Sequence, residues 1–384
     1  MGVSDRAFTV ELFYGVLRNL TLLDFWIGCL RPSTIDADLH DVLRLGLYQI
    51  LVLGIPDHAA VHESVELARK KGRGLINAIL RTATRQRDEL RQRVQVQPLS
   101  VRESHPGFLI SRWQKSFGAE ATTALCRWNN QAPPIYARIN QLQIDPEQFT
   151  HRYPDAQPSG RGSQFVRFVA IPKAALDRGH CYIQDPSTAL ACRMVNPQPG
   201  EKVLDACAAP GGKTGFLAEM MQNRGLIVAC DRDPERVRLL QENVARLKAE
   251  IVQTIEHDWE KPIPRKLESL APFDRILIDA PCTNTGVMRR RVDVRWRLRP
   301  EDLPRMQQQQ LKIIEAALGL LRPDGILVYS TCSLESEEND RVMERLLAIG
   351  TNMRLLERKD LLPFRDKCDG AFAAALQENS GSSH

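Results

Sequence analysis

The 384-residue sequence predicts an α/β fold in its second half, built on a doubly wound, mainly parallel sheet. A small α+β segment and a wholly helical segment are predicted to precede it. Three observations carry this prediction: strands alternate with helices after Lys202, apolar residues recur at helical spacing before residue 97, and short strands lie between. With 43% hydrophobic and 26% charged residues, the chain is long enough for two or three packed domains.

The first segment, residues 1–97, is predicted to be helical because its apolar residues show helical spacing and no strand alternation. One helical face carries Leu39, Val42, Leu43, Leu47, Ile50 and Leu51. Pro56 separates this helix from one that begins near His58, and Gly74 precedes a further helix from Leu75.

A run of basic residues lies in the same segment. Nine lysines and arginines occur between Arg69 and Arg93, and only Asp88 and Glu89 oppose them. Two interpretations remain open: a solvated helix face, or a surface for RNA phosphates, since clustered cations release counterions from nucleic acid. The net charge of +5 does not decide between them.

The second segment, residues 98–180, is predicted to be a small α+β module. Helices are expected over residues 107–117 and 119–129, followed by strands at YARIN and at FVRFV (165–169). Arg138 and Asn140 lie in the first of these strands. They are interpreted either as RNA contacts or as ordinary polar strand residues.

The third segment, residues 181–376, repeats the order strand, loop, helix. The predicted strands end in the strings KVLDAC, LIVACD, VQTIEHD, FDRILIDAPC and GILVYSTCS. Ligands of such sheets bind beyond the carboxyl ends of the strands, near the point where the strand order reverses. Functional residues are therefore expected in the loops after these strands. Residues 377–384 are predicted to be a disordered tail.

The loop after the first strand is CAAPGGKT, residues 207–214. Gly211 and Gly212 allow the backbone to approach a ligand and open a helix with free N–H groups. The string ends like a nucleoside-triphosphate loop, but Cys207 stands where that motif needs a glycine. It is also not Gly-x-Gly-x-x-Gly, which counts against a dinucleotide.

Acidic residues follow the next two strands. Asp231 is placed to accept hydrogen bonds from ribose hydroxyls, although the same carboxylate can cap the helix that begins near Pro234. Asp258 is interpreted either as a contact to an adenine amino group or as a surface charge.

Two cysteines end the fourth and fifth strands. Cys282 follows Asp279 and Pro281, and Cys332 closes GILVYSTCS. Neighbouring strands of a doubly wound sheet bring such residues into one pocket, which predicts a thiol site. The competing interpretation is a pair of small buried core residues.

Several classes are excluded by what the sequence lacks. No apolar run approaches the roughly 20 residues of a membrane span, and the N-terminus shows no signal-peptide pattern. The nine cysteines form no Cys-x-x-Cys pair, so no zinc or other metal site is predicted. Reduced thiols and a cytoplasmic location are expected.

Taken together, CAAPGGKT (207–214), DAPC (279–282) and STCS (330–333) resemble the signature motifs of RNA cytosine-C5 methyltransferases of the Sun/nucleolar-protein family. GVMRRRVDVRW (286–296) resembles the arginine-rich loop of that family, and NNQAPPIYARIN (129–140) its small RNA-binding subdomain. FYGVLRNLTLLD (13–24) and GLINAILR (74–81) resemble its NusB-like helical domain. The resemblance covers nearly the whole chain.

The resemblance implies a Rossmann-like methyltransferase domain that uses S-adenosyl-L-methionine, and RNA, foremost 16S ribosomal RNA, as partner. Cys332 would be the nucleophile, Cys282 would help to release the product, and Asp279 would lie beside the donor or the target base. Asp231 would bind the ribose and Asp258 the adenine. The methionine part would be surrounded by Cys207, Ala208, Ala209, Pro210, Gly211, Gly212 and Lys213.

The arginine-rich loop has two interpretations, a solvated charged loop or contacts to RNA phosphates, and Trp296 either stacks on a base or packs in the core. Its arginines are Arg289, Arg290, Arg291, Arg295, Arg297 and Arg299.

The sequence departs from the family pattern at three places. Thr283 and Asn284 follow DAPC where the family has Ser or Ala and then Gly or Ala. The helical segment resembles the family domain without its first helix, so RNA docking is expected to be weaker or to use another surface. DGAFAA (369–374) replaces a DGFFYA-like strand, which is expected to close the sheet less well.

Three functional hypotheses remain. The favoured one is cytosine-C5 methylation of small-subunit ribosomal RNA. The second keeps the chemistry and changes the substrate to tRNA or another RNA. The third is a non-catalytic RNA-binding assembly factor.

Overall fold

A computed structural model describes residues 3–160, 164–348 and 353–378. The described chain divides into two compact units, one within residues 1–132 and 288–297, the other within residues 133–287 and 298–384. Of the predicted disordered tail, Gln377 and Glu378 belong to a strand, and residues 379–384 lie outside the described residues. In the described ranges, no helix is long and apolar enough to span a membrane.

The α-helices of the described chain are numbered in order. They are α1 (Val3–Arg18), α2 (Leu20–Leu30), α3 (Ala37–Leu47), α4 (Asp57–Leu67), α5 (Arg73–Arg85), α6 (Arg87–Gln95), α7 (Leu99–Arg102), α8 (Gly107–Phe117), α9 (Ala119–Asn129), α10 (Pro146–Arg152), α11 (Lys173–Asp177), α12 (Ala189–Val195), α13 (Gly212–Met220), α14 (Pro234–Leu247), α15 (Arg265–Glu268), α16 (Val294–Arg297), α17 (Asp302–Leu318), α18 (Asp340–Ala348) and α19 (Pro363–Asp366). A π-helical segment, Tyr48–Leu53, extends α3.

The strands are numbered in the same way. They are β1 (Ile135–Ile139), β2 (Gln157–Pro158), β3 (Phe165–Phe168), β4 (Cys181–Ile183), β5 (Lys202–Asp205), β6 (Leu226–Asp231), β7 (Val252–Glu256), β8 (Phe273–Asp279), β9 (Leu321–Thr331), β10 (Met353–Leu361) and β11 (Ala371–Glu378).

The first unit is helical, as the apolar spacing predicts. Leu43, Leu47, Ile50 and Leu51 from the predicted face are buried in one core with apolar residues of α2, α4 and α5. Helices α7, α8 and α9 belong to this unit as well. The division of the structure after Ala132 therefore differs from the predicted boundaries at 97/98 and 180/181.

The segment 288–297 packs inside the first unit. Arg295 is fully buried, and its guanidinium donates to the carbonyl oxygens of Ser104 and Asn129 at 3.2 and 3.0 Å. The guanidinium of Arg289 is also buried and lies 4.0 Å from the centre of the Trp128 ring. Neither interpretation of the arginine-rich loop, a solvated charge or a contact to RNA phosphates, holds for these two residues, because their guanidinium groups are buried inside the protein.

The remaining residues of that loop differ from these two. The indole of Trp296 donates to the carbonyl oxygen of Leu17 at 2.9 Å, so Trp296 packs within the unit. Arg291, Arg297 and Arg299 are exposed. These three arginines keep the capacity to contact a polyanion, and Arg290 is half-buried.

The second unit is built on a seven-stranded sheet of order β10-β11-β9-β8-β5-β6-β7. Strands β5 to β9 run parallel, and β11 is antiparallel to both of its neighbours. The strand order reverses between β5 and β8, because β6 and β7 lie on one side of β5 while β8 and β9 lie on the other. The loops after β5, β6, β8 and β9 therefore lie at one edge of the sheet. The core lies on both faces of this sheet.

The C-terminal strand closes the sheet fully. Phe372, Ala373 and Ala374 of β11 are buried, and the strand pairs with β9 from Phe372 to Gln377. The expectation of a less well closed sheet is wrong, because β11 forms backbone hydrogen bonds with both β9 and β10 and its side chains pack in the core.

A four-stranded antiparallel sheet of order β2-β3-β1-β4 belongs to the same unit. Arg138 of β1 is fully buried, pairs with Glu219 of α13, and donates to Gln184 Oε1 at 2.8 Å. The Asn140 amide donates to the Leu247 carbonyl oxygen of α14 at 2.8 Å. The interpretation of both residues as RNA contacts is wrong, since their polar groups attach this small sheet to the helices of the larger one.

The buried pair of Arg138 and Glu219 predicts a large stability effect. Arg138→Met leaves the Glu219 carboxylate buried without its partner, and we expect it to lower the free energy of unfolding by about 3–5 kcal/mol. Urea denaturation followed by circular dichroism measures this. The double variant Arg138→Met/Glu219→Leu is expected to recover most of the loss. Equal destabilisation in the single and double variants would contradict an electrostatic origin.

Candidate active site

The two strand-end cysteines lie side by side in the second unit. Asp279 of β8 is in register with Ser330 of β9, so the residues that follow each strand are brought together. The Sγ atoms of Cys282 and Cys332 are 3.3 Å apart, and both residues are half-buried. The interpretation of these two residues as fully buried core cysteines does not fit this exposure.

Hydrogen bonds order the two sulfur atoms. The thiol of Cys332 donates to Asn284 Oδ1 at 3.2 Å. A second hydrogen bond, between Cys282 and Cys332, acts together with burial to raise the pKa of the Cys282 thiol well above its ordinary value. Cys282 therefore keeps its proton at neutral pH. Its S–H group can point at the Cys332 sulfur and support negative charge there.

A buried carboxylate holds the two cysteine loops together. Glu338 Oε1 accepts hydrogen bonds from the Thr283 backbone N–H at 2.9 Å and from Gln310 Nε2 at 3.1 Å. Its Oε2 accepts from the hydroxyls of Thr283 and Ser333. Thr283 and Ser333 each follow a cysteine, so this network sets the sulfur–sulfur distance. Burial raises the pKa of Glu338.

An ion pair lies at the end of β8. Lys213 Nζ is 2.6 Å from Asp279 Oδ2, and the Ser330 hydroxyl donates to Asp279 Oδ1 at 2.8 Å. Burial lowers the pKa of Lys213, but the negative charge of Asp279 and its hydrogen bond raise that pKa by more than burial lowers it. The net shift of the Lys213 pKa is therefore upward. The carboxylate of Asp279 is thus fixed in place and about one third exposed.

The glycine-rich loop turns sharply before α13. Gly211 has φ +102°, a backbone conformation that L side chains rarely adopt, and a Cβ there would meet Leu240 Cδ1 at 2.9 Å. The Arg236 guanidinium donates to the Ala209 carbonyl oxygen at 2.6 Å, and Asn243 Nδ2 donates to that of Pro210 at 2.9 Å. The loop is therefore held by α14 as well as by its own turn.

The predicted acids lie at neighbouring strand ends. Asp231 is almost fully buried, and its Oδ2 accepts from the Ala209 N–H at 3.3 Å, so it faces the glycine-rich loop. Asp258 is half-buried, and its Oδ1 accepts from the Glu260 N–H at 3.2 Å, which closes a turn. Capping of α14 falls to Asp233, whose Oδ1 accepts from the Glu235 and Arg236 N–H groups.

The structure adds polar residues that sequence reasoning missed. Asp205 ends β5 and is fully buried; Thr214 donates to its Oδ2 at 2.8 Å, while its Oδ1 has no partner. Burial raises the pKa of Asp205 to about 7. Asp205 lies at the end of a strand, as Asp231 and Asp279 do, and this position could have identified Asp205 from the sequence. Glu338 carries no such signal, since its partners Thr283 and Gln310 are distant in sequence.

This set of groups fits S-adenosylmethionine. The carboxylate of Asp231 is an acceptor suited to ribose hydroxyls, at the strand end where such ligands bind. The unpartnered Oδ1 of Asp205 is a buried acceptor that calls for a donor, and an ammonium group provides one. The loop between them has a glycine whose lack of a side chain lets the backbone turn towards α13.

The sheet has parallel strands whose order reverses, and a glycine-rich loop and acidic residues lie at the carboxyl ends of these strands. Together these features define the class of protein: an S-adenosylmethionine-dependent methyltransferase. The model of the family described as 16S rRNA methyltransferase RsmB/F matches residues 192–377. The NusB family model matches residues 1–85, and that of the RsmF/B-like ferredoxin-like domain matches residues 105–167. The chain belongs to the RsmB/F family of RNA methyltransferases, with a NusB-like helical domain and a small α+β subdomain before the Rossmann-like domain.

Relatives agree over most of the chain. Ribosomal RNA small subunit methyltransferase B of Serratia proteamaculans (strain 568) is 36% identical, covering 97% of this chain and 90% of the relative. The probable ribosomal RNA small subunit methyltransferase B of Bacillus subtilis (strain 168) is 33% identical, covering 89% and 80%. The crystal structure of the protein named PH0851 superposes with a TM-score of 0.78 at 25% identity, covering 98% and 90%.

Proposed function

We propose that this protein methylates carbon 5 of a cytosine in 16S ribosomal RNA, through a covalent bond between Cys332 and carbon 6 of the base. The observation that carries the proposal is the pair of half-buried sulfur atoms 3.3 Å apart at adjacent strand ends. The names of the relatives support ribosomal RNA of the small subunit as the substrate.

A thiol is needed because carbon 5 of cytosine is a weak nucleophile. When the Cys332 thiolate adds to carbon 6, a new C–S bond forms and carbon 5 becomes enamine-like. S-adenosylmethionine supplies the methyl group when it is bound. Water then takes up the proton from carbon 5, the C–S bond breaks, and its electron pair leaves with the Cys332 sulfur as a thiolate. This covalent route divides one difficult step into easier ones.

The other residues act around this sulfur. Cys282 retains its proton beside Cys332, and we assign it to the release of the product. The Asp279 carboxylate is fixed by Lys213 and Ser330, and we assign it a position beside the methyl donor or the target base. The base has to leave its stack to reach these half-buried groups.

The methyl donor is assigned to the groups between β5 and β7. Residues Cys207 to Lys213 would surround its methionine part, and Asp231 and Asp258 would bind the ribose and the adenine. Support for this assignment comes from the fixed turn at Gly211 and from the buried Asp231 carboxylate.

A substrate comparison tests the proposal. Purified protein with methyl-labelled S-adenosylmethionine is incubated with 16S ribosomal RNA, small subunits and tRNA, and the product is digested to nucleosides. We expect 5-methylcytosine in 16S ribosomal RNA and in no tRNA, and loss of that mark in cells without the protein. Methylated tRNA beside unmodified ribosomal RNA would overturn the substrate. Label in another nucleoside would overturn the chemistry, and no label at all would favour an assembly factor.

A further inference from the structure

Asn284 contacts both cysteine loops. Its Nδ2 donates to the Cys282 carbonyl oxygen at 2.7 Å, and its Oδ1 lies 3.2 Å from the Cys332 sulfur. Because the amide nitrogen is held by that carbonyl, the amide oxygen is the atom that faces the sulfur.

We propose that Asn284 is a positioning residue that binds the S–H group of Cys332 through its amide oxygen and so restrains the reactivity of that sulfur before RNA binds. This inference rests on the proposed role of Cys332 as the nucleophile. An acceptor oxygen stabilises an S–H group but repels a thiolate at the same distance. Turning the amide to present its N–H to the sulfur would break the 2.7 Å bond to Cys282.

Other charged and titratable groups also face this sulfur. Lys213, which pairs with Asp279, interacts electrostatically with Cys332, and the buried Glu338 interacts with the neighbouring Cys282. Cys282 places its own S–H group against the sulfur. None of these groups is removed by a change at Asn284. A comparison of variants at this one position therefore isolates the effect of the amide.

The backbone at Asn284 allows clean variants. Its φ of +61° is a left-handed conformation that glycine adopts without strain, so Asn284→Gly removes the side chain and leaves the turn intact. Asn284→Asp keeps the shape and puts a negative charge next to the sulfur. Asn196→Gly is the matched control, because Asn196 is an exposed, left-handed asparagine in the same unit, with φ +43°.

The test is the rate at which iodoacetamide alkylates Cys332 in the free protein, followed by peptide mass spectrometry between about pH 6 and pH 10. For Asn284→Gly we expect the midpoint of the profile to fall by about half a unit to one unit, as for loss of one hydrogen bond to the neutral form. Asn284→Asp is expected to raise the midpoint. Asn196→Gly should reproduce the parent profile.

Two results would overturn the inference. One is an unchanged midpoint in Asn284→Gly. The other is a higher plateau rate at the same midpoint, which means that the side chain only shields the sulfur. The buried Cys192 and Cys230 stay unreacted in a folded variant, and Asn284→Ser provides a second variant. Because no RNA is present, failure here leaves the proposed function standing, whereas methylation by Cys332→Ala would overturn the role of Cys332 on which the inference rests.

Discussion

Cys332→Ala is expected to abolish methylation of RNA, with a loss of roughly three orders of magnitude or more in kcat. Without the sulfur no bond forms to carbon 6, and carbon 5 stays too weak a nucleophile to be methylated. The measurement is transfer of labelled methyl groups to 16S ribosomal RNA at saturating S-adenosylmethionine.

The control for this prediction is Cys29→Ala, which removes a half-buried thiol from the first unit. It is expected to keep the parent rate. Cys332→Ser retains a hydrogen-bonding group opposite Asn284 and should be as inactive as the alanine variant. If Cys332→Ala kept a tenth of the parent activity or more, Cys332 would not be the nucleophile.

Cys282→Ala is expected to accumulate a covalent complex between protein and RNA. The proposed attack by Cys332 does not need the second thiol, but release does, so the C–S bond persists. Cys282 lies 3.3 Å from Cys332 and holds its proton because its pKa is raised, which places a thiol beside the adduct. We expect most of the variant to migrate with RNA in a denaturing gel, and little of the parent protein.

The double variant Cys282→Ala/Cys332→Ala separates a covalent adduct from tight binding. It should show no complex under denaturing conditions. A complex that survives in the double variant would mean that another nucleophile is involved. Absence of a complex in Cys282→Ala, together with normal turnover, would remove the release role from Cys282.

The departures at Thr283 and Asn284 gain a physical meaning in the structure. The backbone N–H and the hydroxyl of Thr283 both donate to Glu338, and Asn284 lies between the two cysteine loops. The sequence marks these residues only as unusual. Glu338 is 55 residues from Thr283 and Cys332 is 48 residues from Asn284, and the approach of these segments depends on the pairing of β8 with β9.

The second half of the fold could be predicted because strand and helix periods alternate there without interruption. The prediction placed β5 to β9 and their loops, and strand-end residues of a parallel sheet converge for geometric reasons. Arg138 and Asn140 were open to misassignment for a different reason. A polar residue in a short strand has the same pattern whether it faces solvent or a packed helix.

In the arginine-rich loop, the sequence likewise does not reveal which charged side chains are exposed. Its arginines look alike in the sequence, yet Arg289 and Arg295 are buried while Arg291 and Arg297 are exposed. Which of them is free for a polyanion depends on the carbonyl oxygens and rings that the helices of the first unit bring near them.

By itself, the sequence determined which residues follow each strand of the sheet. These residues include the glycine-rich loop, the acids and the two cysteines. These follow from local periodicity and from the rule that parallel strands end at one edge. Only the tertiary structure decided that the two sulfur atoms meet at 3.3 Å, that Lys213 pairs with Asp279, and that Glu338 ties the loops together. Those contacts depend on packing between segments distant in the chain, which no local pattern encodes.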